Sequence, residues 1–360
     1  MRKKWKKWGK NLVVWWKSST FAPPFKTKRF ETRAERCVTS SGFRIPVLPK
    51  QSSGVGMGEE KLGVMSGTGW AIEDTKYKHM ILLADSGSTK THWCLMTESG
   101  QSSEFFTDGI NPFFQTSEAM RNSISNQLLP QLARLMWVGT IEAVYFYGAG
   151  CTAEKSPFVE DALRACFKKA SEVEVQSDMI GAARSLVGNG RGVAWILGTG
   201  ANSCLFEEGK IVKNVPALGF ILGDEGSGAV LGKRLVSDLY KNQLSDELKA
   251  KFEKEYDTNV AQVIECVYRK PFPNRYLAQF SKFCSANIED PLISKLVYDH
   301  FDYFAKRILT QYPKVPVGFV GSVAYYYKDI LGKVLEDNGL MMGKILQSPM
   351  EGTKEFHAIK

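Results

Sequence analysis

The chain has 360 residues, 44% apolar and 24% charged, a soluble globular composition with room for two domains of ordinary size. Seven scattered cysteines with no C-x-x-C pair argue against a disulfide scaffold or a structural zinc site and for a reducing, cytoplasmic setting, and no apolar run approaches the roughly 18 residues that span a bilayer. Residues 1–79 hold 17 Lys and Arg against 6 Asp and Glu, so the net charge of +9 belongs to the front of the chain; the remainder carries −2 and has no nucleic-acid signature.

That front segment opens MRKKWKKWGKNLVVWW, has little periodicity and carries five of the eight tryptophans. Its apolar stretch NLVVWW is too short and too aromatic for a signal peptide. Interleaved Lys and Trp would suit anionic lipid or nucleic acid. Met80 stands directly before the first clear strand, so residues 1–79 read as a basic extension, disordered or non-native.

From Met80 the pattern becomes regular. ILLAD, HWCLMT and SSEFFTDG read as three strands joined at SGSTK and ESGQ. SEAMRNSISNQLLPQLARLMWV is a helix with Met120, Ile124, Leu128, Leu132 and Leu135 on one face and a kink at Pro130. AVYFYGAG is a buried strand, and SPFVEDALRACFKKA is a helix with Ser156 as N-cap and Pro157 in its first turn. VEVQS is a short strand running into the helix that begins at Asp178.

The order then repeats. VAWILGTG, SCLFEEG and KIVKNV are strands, a helical region covers about 225–310, and PVGFVGSV is another buried strand. WCLMTESGQ and SCLFEEGKI share a Cys-Leu pair, an acidic tip and a turn glycine, each after a strand that ends in a small-residue loop. Matching element order makes this a duplication. Two halves facing one another would oppose DSGSTKT and GTGANS. Such loops form backbone nests for anions, and small residues let the backbone approach closely. A long polar hairpin loop is the alternative for DSGSTKT. Neither G-x-x-x-x-G-K-[ST] nor G-x-G-x-x-G occurs, so phosphate binding would rest on the paired loops.

The set DSGSTKT, GTGANS, GDEGSG and VGSVA in this order resembles the actin-like ATPase superfamily of sugar kinases, actin and Hsp70, and within it the branch of N-acetylglucosamine kinases and BadF/BadG/BcrA/BcrD ATPases. The resemblance covers residues 80 to about 360. It implies an α/β protein with a duplicated ribonuclease H-like fold: 80–187 and 188–344 as two domains around a nucleotide cleft, and 345–360 returning to the first.

The activity implied is an ATP- and Mg2+-dependent kinase acting on the hydroxyl of an amino sugar, N-acetylglucosamine to its 6-phosphate. The same fold also serves ATPases that activate 2-hydroxyacyl-CoA dehydratases through an iron–sulfur cluster; Cys94 and Cys204, within strands, read instead as core residues. Asp178 would be the base that takes the sugar's proton, although its place at a helix start also suits an N-cap. Asp85 would hold Mg2+ through water, Gly87, Ser88, Thr89 and Lys90 would meet the phosphates, Gly198, Thr199 and Gly200 would complete the clamp, and Gly321 and Ser322 would approach the adenosine. Asn111, Asn202 and Asp224 would hold the hexose; Asp224 and Glu225 equally suit the cap and first turn of the helix GAVLGKRLVSDLY. The four histidines read as structural or surface groups. A sugar is the expected partner, and a homodimer is left open.

Overall fold

The computed structural model describes residues 80–87, 89–97, 99–135 and 141–358, all within the unit Thr68–Lys360. The basic extension 1–79, Ser88 and the end of the first predicted helix lie outside the described residues. No helix among the described residues is long and apolar enough to cross a membrane.

Strands β1 (Met80–Ser86), β2 (Lys90–Thr97) and β3 (Ser102–Asp108) form an antiparallel meander. β4 (Ile141–Gly148) and β5 (Glu172–Ser177) join in parallel on the other edge of β1, giving the order β3-β2-β1-β4-β5. The second sheet repeats this plan. β6 (Arg191–Leu197), β7 (Ala201–Glu207) and β8 (Lys210–Lys213) are the meander, β9 (Val317–Val320) and β10 (Met342–Leu346) the parallel addition, in the order β8-β7-β6-β9-β10. Cys94 and Cys204, the matched residues of the repeat, sit in equivalent strands with no exposure. This is the duplicated ribonuclease H-like arrangement.

Helices α1 (Ser117–Ser123) and α2 (Leu129–Arg134), with a π-helical turn Ile124–Leu128 between them, connect β3 to β4. The widened turn stands immediately before Leu129 and Pro130, where the proline cannot donate to the preceding turn. α3 (Ser156–Cys166) links β4 to β5, and α4 (Asp178–Val187) leads from the first sheet to the second. Between β8 and β9 lie α5 (Gly219–Leu222), α6 (Gly228–Tyr240), α7 (Asp246–Tyr256), α8 (Val260–Tyr268), α9 (Pro273–Ala278), α10 (Ser281–Ala286) and α11 (Pro291–Arg307). α12 (Ser322–Tyr326) and α13 (Lys328–Asp337) link β9 to β10, and α14 (Met350–His357) follows β10.

Strand alternation distributes these helices over the sheet faces. Leu82, Trp93, Leu95, Val144 and Phe146 turn to one face of the first sheet, against Met120, Leu128, Leu132 and Leu163. Ile81, Leu83, Cys94 and Met96 turn to the other, where Met350 of α14 packs. α4 lies between the sheets: its Met179, Ala182 and Ala183 pack on Ala194, Cys204, Phe206 and Val320 of the second.

Capping differs from the sequence reading at three helices. Lys155, not Ser156, precedes α3. Ser177 caps α4 and accepts from the Ile180 amide, which puts Asp178 at the first helical position. Ser227 caps α6 and accepts from Val230, so neither Asp224 nor Glu225 is the cap; Glu225 instead pairs with Arg307 at 2.8 Å.

Candidate active site

The candidate residues lie beyond the carboxyl ends of the central strands, where ligands of open α/β sheets bind. At the end of β1, Asp85 is half-buried and Ser86 fully buried. Ser86 Oγ lies 2.7 Å from Thr91 Oγ1, donates to the Ile110 carbonyl at 3.0 Å and accepts from the Ile110 amide at 3.0 Å. Its own carbonyl accepts from the Ala149 amide at 2.8 Å. A single serine therefore fastens the hairpin stem, the segment carrying Asn111 and the loop after β4 to one another. The loop above it is closed by the Gly87 amide donating to the Lys90 carbonyl at 3.1 Å, and Thr89 accepts from Gly109 at 3.0 Å. Ser88 is outside the described residues. Lys90 is exposed, with its ammonium 5.1 Å from the centre of the Phe106 ring.

Asp178 stands at the N-terminus of α4, with its Oδ1 accepting from the Met179 amide at 2.9 Å. Burial raises its pKa, and the amide hydrogen bonds oppose that rise. Asp85 is pushed up to about 7, first by burial and then by the charge of Asp178, with Lys90 acting the other way. The structure thus brings these two carboxylates together. Beside them the Cys151 thiol, buried and repelled by Asp178, is pushed up to about 12. Asn111 is buried, accepts from the Phe113 amide at 3.0 Å and donates its own amide to Gln115 at 2.9 Å. That donor is its backbone amide, and the side chain packs so closely on Gly150 that a Cβ there would lie 2.5 Å from its Oδ1.

The second cluster surrounds the loop between β6 and β7. The Gly198 amide donates to the Gly200 carbonyl at 3.0 Å, while the amides of Gly228 and Ala229 donate to the carbonyls of Gly198 and Thr199 at 2.8 and 3.1 Å. The start of α6 is therefore spent on holding this loop. Asp224 adopts the left-handed conformation (φ 54°), which aspartate tolerates better than most residues other than glycine and asparagine. Its carboxylate lies against Gly200, where a Cβ would be 3.0 Å from Oδ2, and burial pushes its pKa up to about 6. Asn202 Oδ1 accepts from the Ser203 amide and from Asn214 Nδ2, at 2.9 and 3.1 Å. Gly321 (φ 125°) presses on the end of β6, with the next residue, Ser322, exposed at the start of α12.

Asp85, Asp178, Asn111, Gly87, Thr89 and Lys90 thus gather at the first sheet, and Gly198–Gly200, Asp224 and Gly321–Ser322 at the second. The donor set at the first suits a small divalent cation. Two mutually repelling carboxylates gain from a positive ion, and Mg2+ takes one or two carboxylates and keeps its waters.

A family model for the BadF/BadG/BcrA/BcrD ATPase family matches residues 84–351, from the acidic end of β1 into α14. The chain belongs to this ATPase family. A solved structure from Porphyromonas gingivalis, of a protein provisionally named an N-acetylglucosamine kinase, is 46% identical, with 77% of this chain and 98% of that one covered and a TM-score of 0.74. A second, from Chromobacterium violaceum and provisionally given the same name, is 14% identical over 77% of this chain and 98% of that one, with a TM-score of 0.59, and shares the fold. A search of curated proteins finds no match.

The matched range includes both loops, and the structure shows what holds them. Ser86 and Thr91 fall within the DSGSTKT loop by sequence, yet both are fully buried stem hydroxyls. Their position in register on paired strands was the available signal, since facing Ser and Thr across a hairpin bond to one another.

Proposed function

We propose that this ATPase-family chain is an ATP-dependent kinase that phosphorylates the hydroxyl of an amino sugar, converting N-acetylglucosamine to its 6-phosphate. The observation that carries this reading is the meeting of Asp178 and Asp85 at the carboxyl end of the first sheet, one on a helix N-terminus and one on a strand end. The 46% identity to a protein provisionally named for that activity supports the choice of sugar.

Phosphoryl transfer needs positioning and charge neutralisation more than covalent help. Asp178 takes the proton of the attacking hydroxyl; the burial that raises its pKa makes it a better acceptor than an exposed carboxylate. Gly87–Lys90 and Gly198–Gly200 hold the phosphates from the two halves, and Gly321 and Ser322 flank the adenosine. Asn111, Asn202 and Asp224 fix the hexose, each offering acceptors in a partly desolvated setting. Asp85 would hold Mg2+ through water, and the ion would supply neutralisation of the phosphate charge.

The test is a panel of hexoses, free and N-acetylated, in an assay that couples ADP release to a colour change. N-acetylglucosamine should give the highest kcat/KM. ADP release that no sugar stimulates would refute the proposal.

A further inference from the structure

Between the sheet and the two helices that connect the halves lies a buried polar chain that the chemistry above does not use. Tyr147, on β4, is the register partner of Asp85 on β1 and of Gln176 on β5. Paired residues of neighbouring strands share a face. Tyr147 therefore stands between Asp85 and the strand that delivers Asp178 two residues later. It is 2% exposed.

Two helices reach its side chain. α4 crosses the ring at Gly181, where a Cβ would lie 2.8 Å from both Cβ and Cγ of Tyr147, so only glycine permits the approach. One turn further, Arg184 Nη1 donates to the Tyr147 oxygen at 2.7 Å and to Glu174 Oε2 at 3.0 Å, and Nη2 donates to Glu174 Oε1 at 2.9 Å. From the other side, His357 of α14 places Nε2 2.6 Å from the same oxygen and stacks on Tyr145 with ring centroids 4.0 Å apart. α14 also touches α4 directly, since a Cβ on Gly352 would come within 2.2 Å of the Ser185 carbonyl oxygen.

The proton positions follow from donor chemistry. A guanidinium only donates, so the Tyr147 oxygen accepts from Arg184, and its own proton pairs with His357 Nε2 in the tautomer that leaves Nε2 bare. That tautomer carries its proton on Nδ1, and burial and the nearby Arg184, which push the His357 pKa down to about 4, favour the neutral ring it requires. Chain order gives the junction its meaning. α4 leads from β5 into β6 of the second sheet, and α14 returns after β10 of the second sheet. Both covalent crossings between the halves thus meet at one phenol.

We propose that Tyr147 is a positioning residue, whose hydroxyl pins α4 and α14 to the first sheet and thereby fixes the direction of the first turn of α4 and of Asp178. The inference rests on the kinase reading for its kinetic consequence and on packing alone for its structural one.

Tyr147→Phe keeps the ring on Gly181 and removes the pin. Hydrogen exchange by mass spectrometry should show the α4 amides from Met179 to Ala182 exchanging at least about tenfold faster. kcat with the best sugar should fall about tenfold, because misplacement of a catalytic group costs turnover, while KM for sugar and nucleotide stays within about twofold. His357→Phe, which keeps the stacking, should behave alike, and His357→Gln, which restores an acceptor for the phenol proton, should recover much of the loss. 15N spectra of the wild type should report the Nδ1–H tautomer of His357. Unchanged exchange at α4, unchanged kcat, or an effect confined to KM would overturn the proposal. If the wild type phosphorylates no sugar, the kinase reading fails, and the exchange and tautomer measurements still decide the role of the junction.

Discussion

Replacing Gly321 by alanine should damage both stability and nucleotide binding, and the structure sets the scale. Gly321 has φ 125° and ψ 159°, a region that only glycine occupies without strain, at a cost of about 1–3 kcal/mol for any other residue. The added Cβ would lie 2.2 Å from the Leu197 carbonyl oxygen and 2.7 Å from its carbonyl carbon. Comfortable contact needs about 3.5 Å, so Leu197 would have to retreat by about 1 Å, with an overpacking cost of about 1–3 kcal/mol. Together these give roughly 2–6 kcal/mol, a large share of the 5–15 kcal/mol that holds a typical domain folded. Leu197 is followed directly by Gly198, so relief of the clash moves the candidate phosphate loop. Urea unfolding should show a midpoint shift with unchanged slope, and calorimetric titration should show ATP affinity reduced at least about tenfold. Gly87→Ala is the control: its Cβ would meet only the Lys90 carbonyl oxygen, at 3.9 Å, so stability should change by less than about 1 kcal/mol. A loss for Gly321→Ala as small as the control's, with ATP binding intact, would refute the close seating of β9 on the end of β6.

Asp178→Asn preserves shape and removes the acceptor charge, so kcat should fall about 10²–10⁴-fold with melting temperature and ATP affinity nearly unchanged; wild-type turnover at saturating sugar would exclude it as the base. Burial and the charge of Asp178 push Asp85 up to about 7 from an ordinary 3.8, so the folded state keeps a proton that the unfolded chain has released between those values, and stability falls as pH rises through that window. Asp85→Asn cannot ionise and should therefore be more stable than wild type at pH 8, by up to about 4 kcal/mol, with the difference vanishing near pH 4 in paired urea titrations. Ser86→Ala leaves Thr91 and the Ile110 amide without their buried partner and should cost about 1–3 kcal/mol, measured the same way.

The parts of the fold that are legible in the sequence are those with strong period-2 or period-3.6 signals. The repeated meander, the matched Cys94 and Cys204 and the small-residue loops all show in this way, because each is set by residues near one another in the chain. β10 is missed: MGKIL is a short edge strand, half-exposed and interrupted by Gly343 and Lys344, so neither alternation nor an apolar run marks it. The caps are not decided by sequence for a different reason. Ser177 and Asp178 are adjacent and both able to cap, and only the extended backbone at Ser177 (ψ 154°) decides between them. That choice bears on chemistry, because with Ser177 satisfying the orphan amide of Ile180, Asp178 accepts from Met179 through Oδ1.

The same division separates the candidate site from its support. A carboxylate at a strand end, as at Asp85, is visible because the strand, the acid and the loop are consecutive. The residues that hold it are not consecutive. In AVYFYGAG, Tyr147 reads as one more apolar position of a buried strand, and its hydroxyl acquires a role only from His357, 210 residues away, and from Arg184, 37 residues away. A buried phenol must find partners or bear the cost of an unsatisfied group, so a tyrosine in a strand that otherwise reads as core is itself a signal that polar groups converge there. Tyr145 and Tyr147 alternate along β4 on the face that Asp85 shares, and both meet His357. Phenylalanine at either position would serve the core equally well. What the hydroxyl adds at Tyr147 is direction: hydrogen bonds fix the angle at which α4 meets the sheet, and that angle decides where Asp178 points.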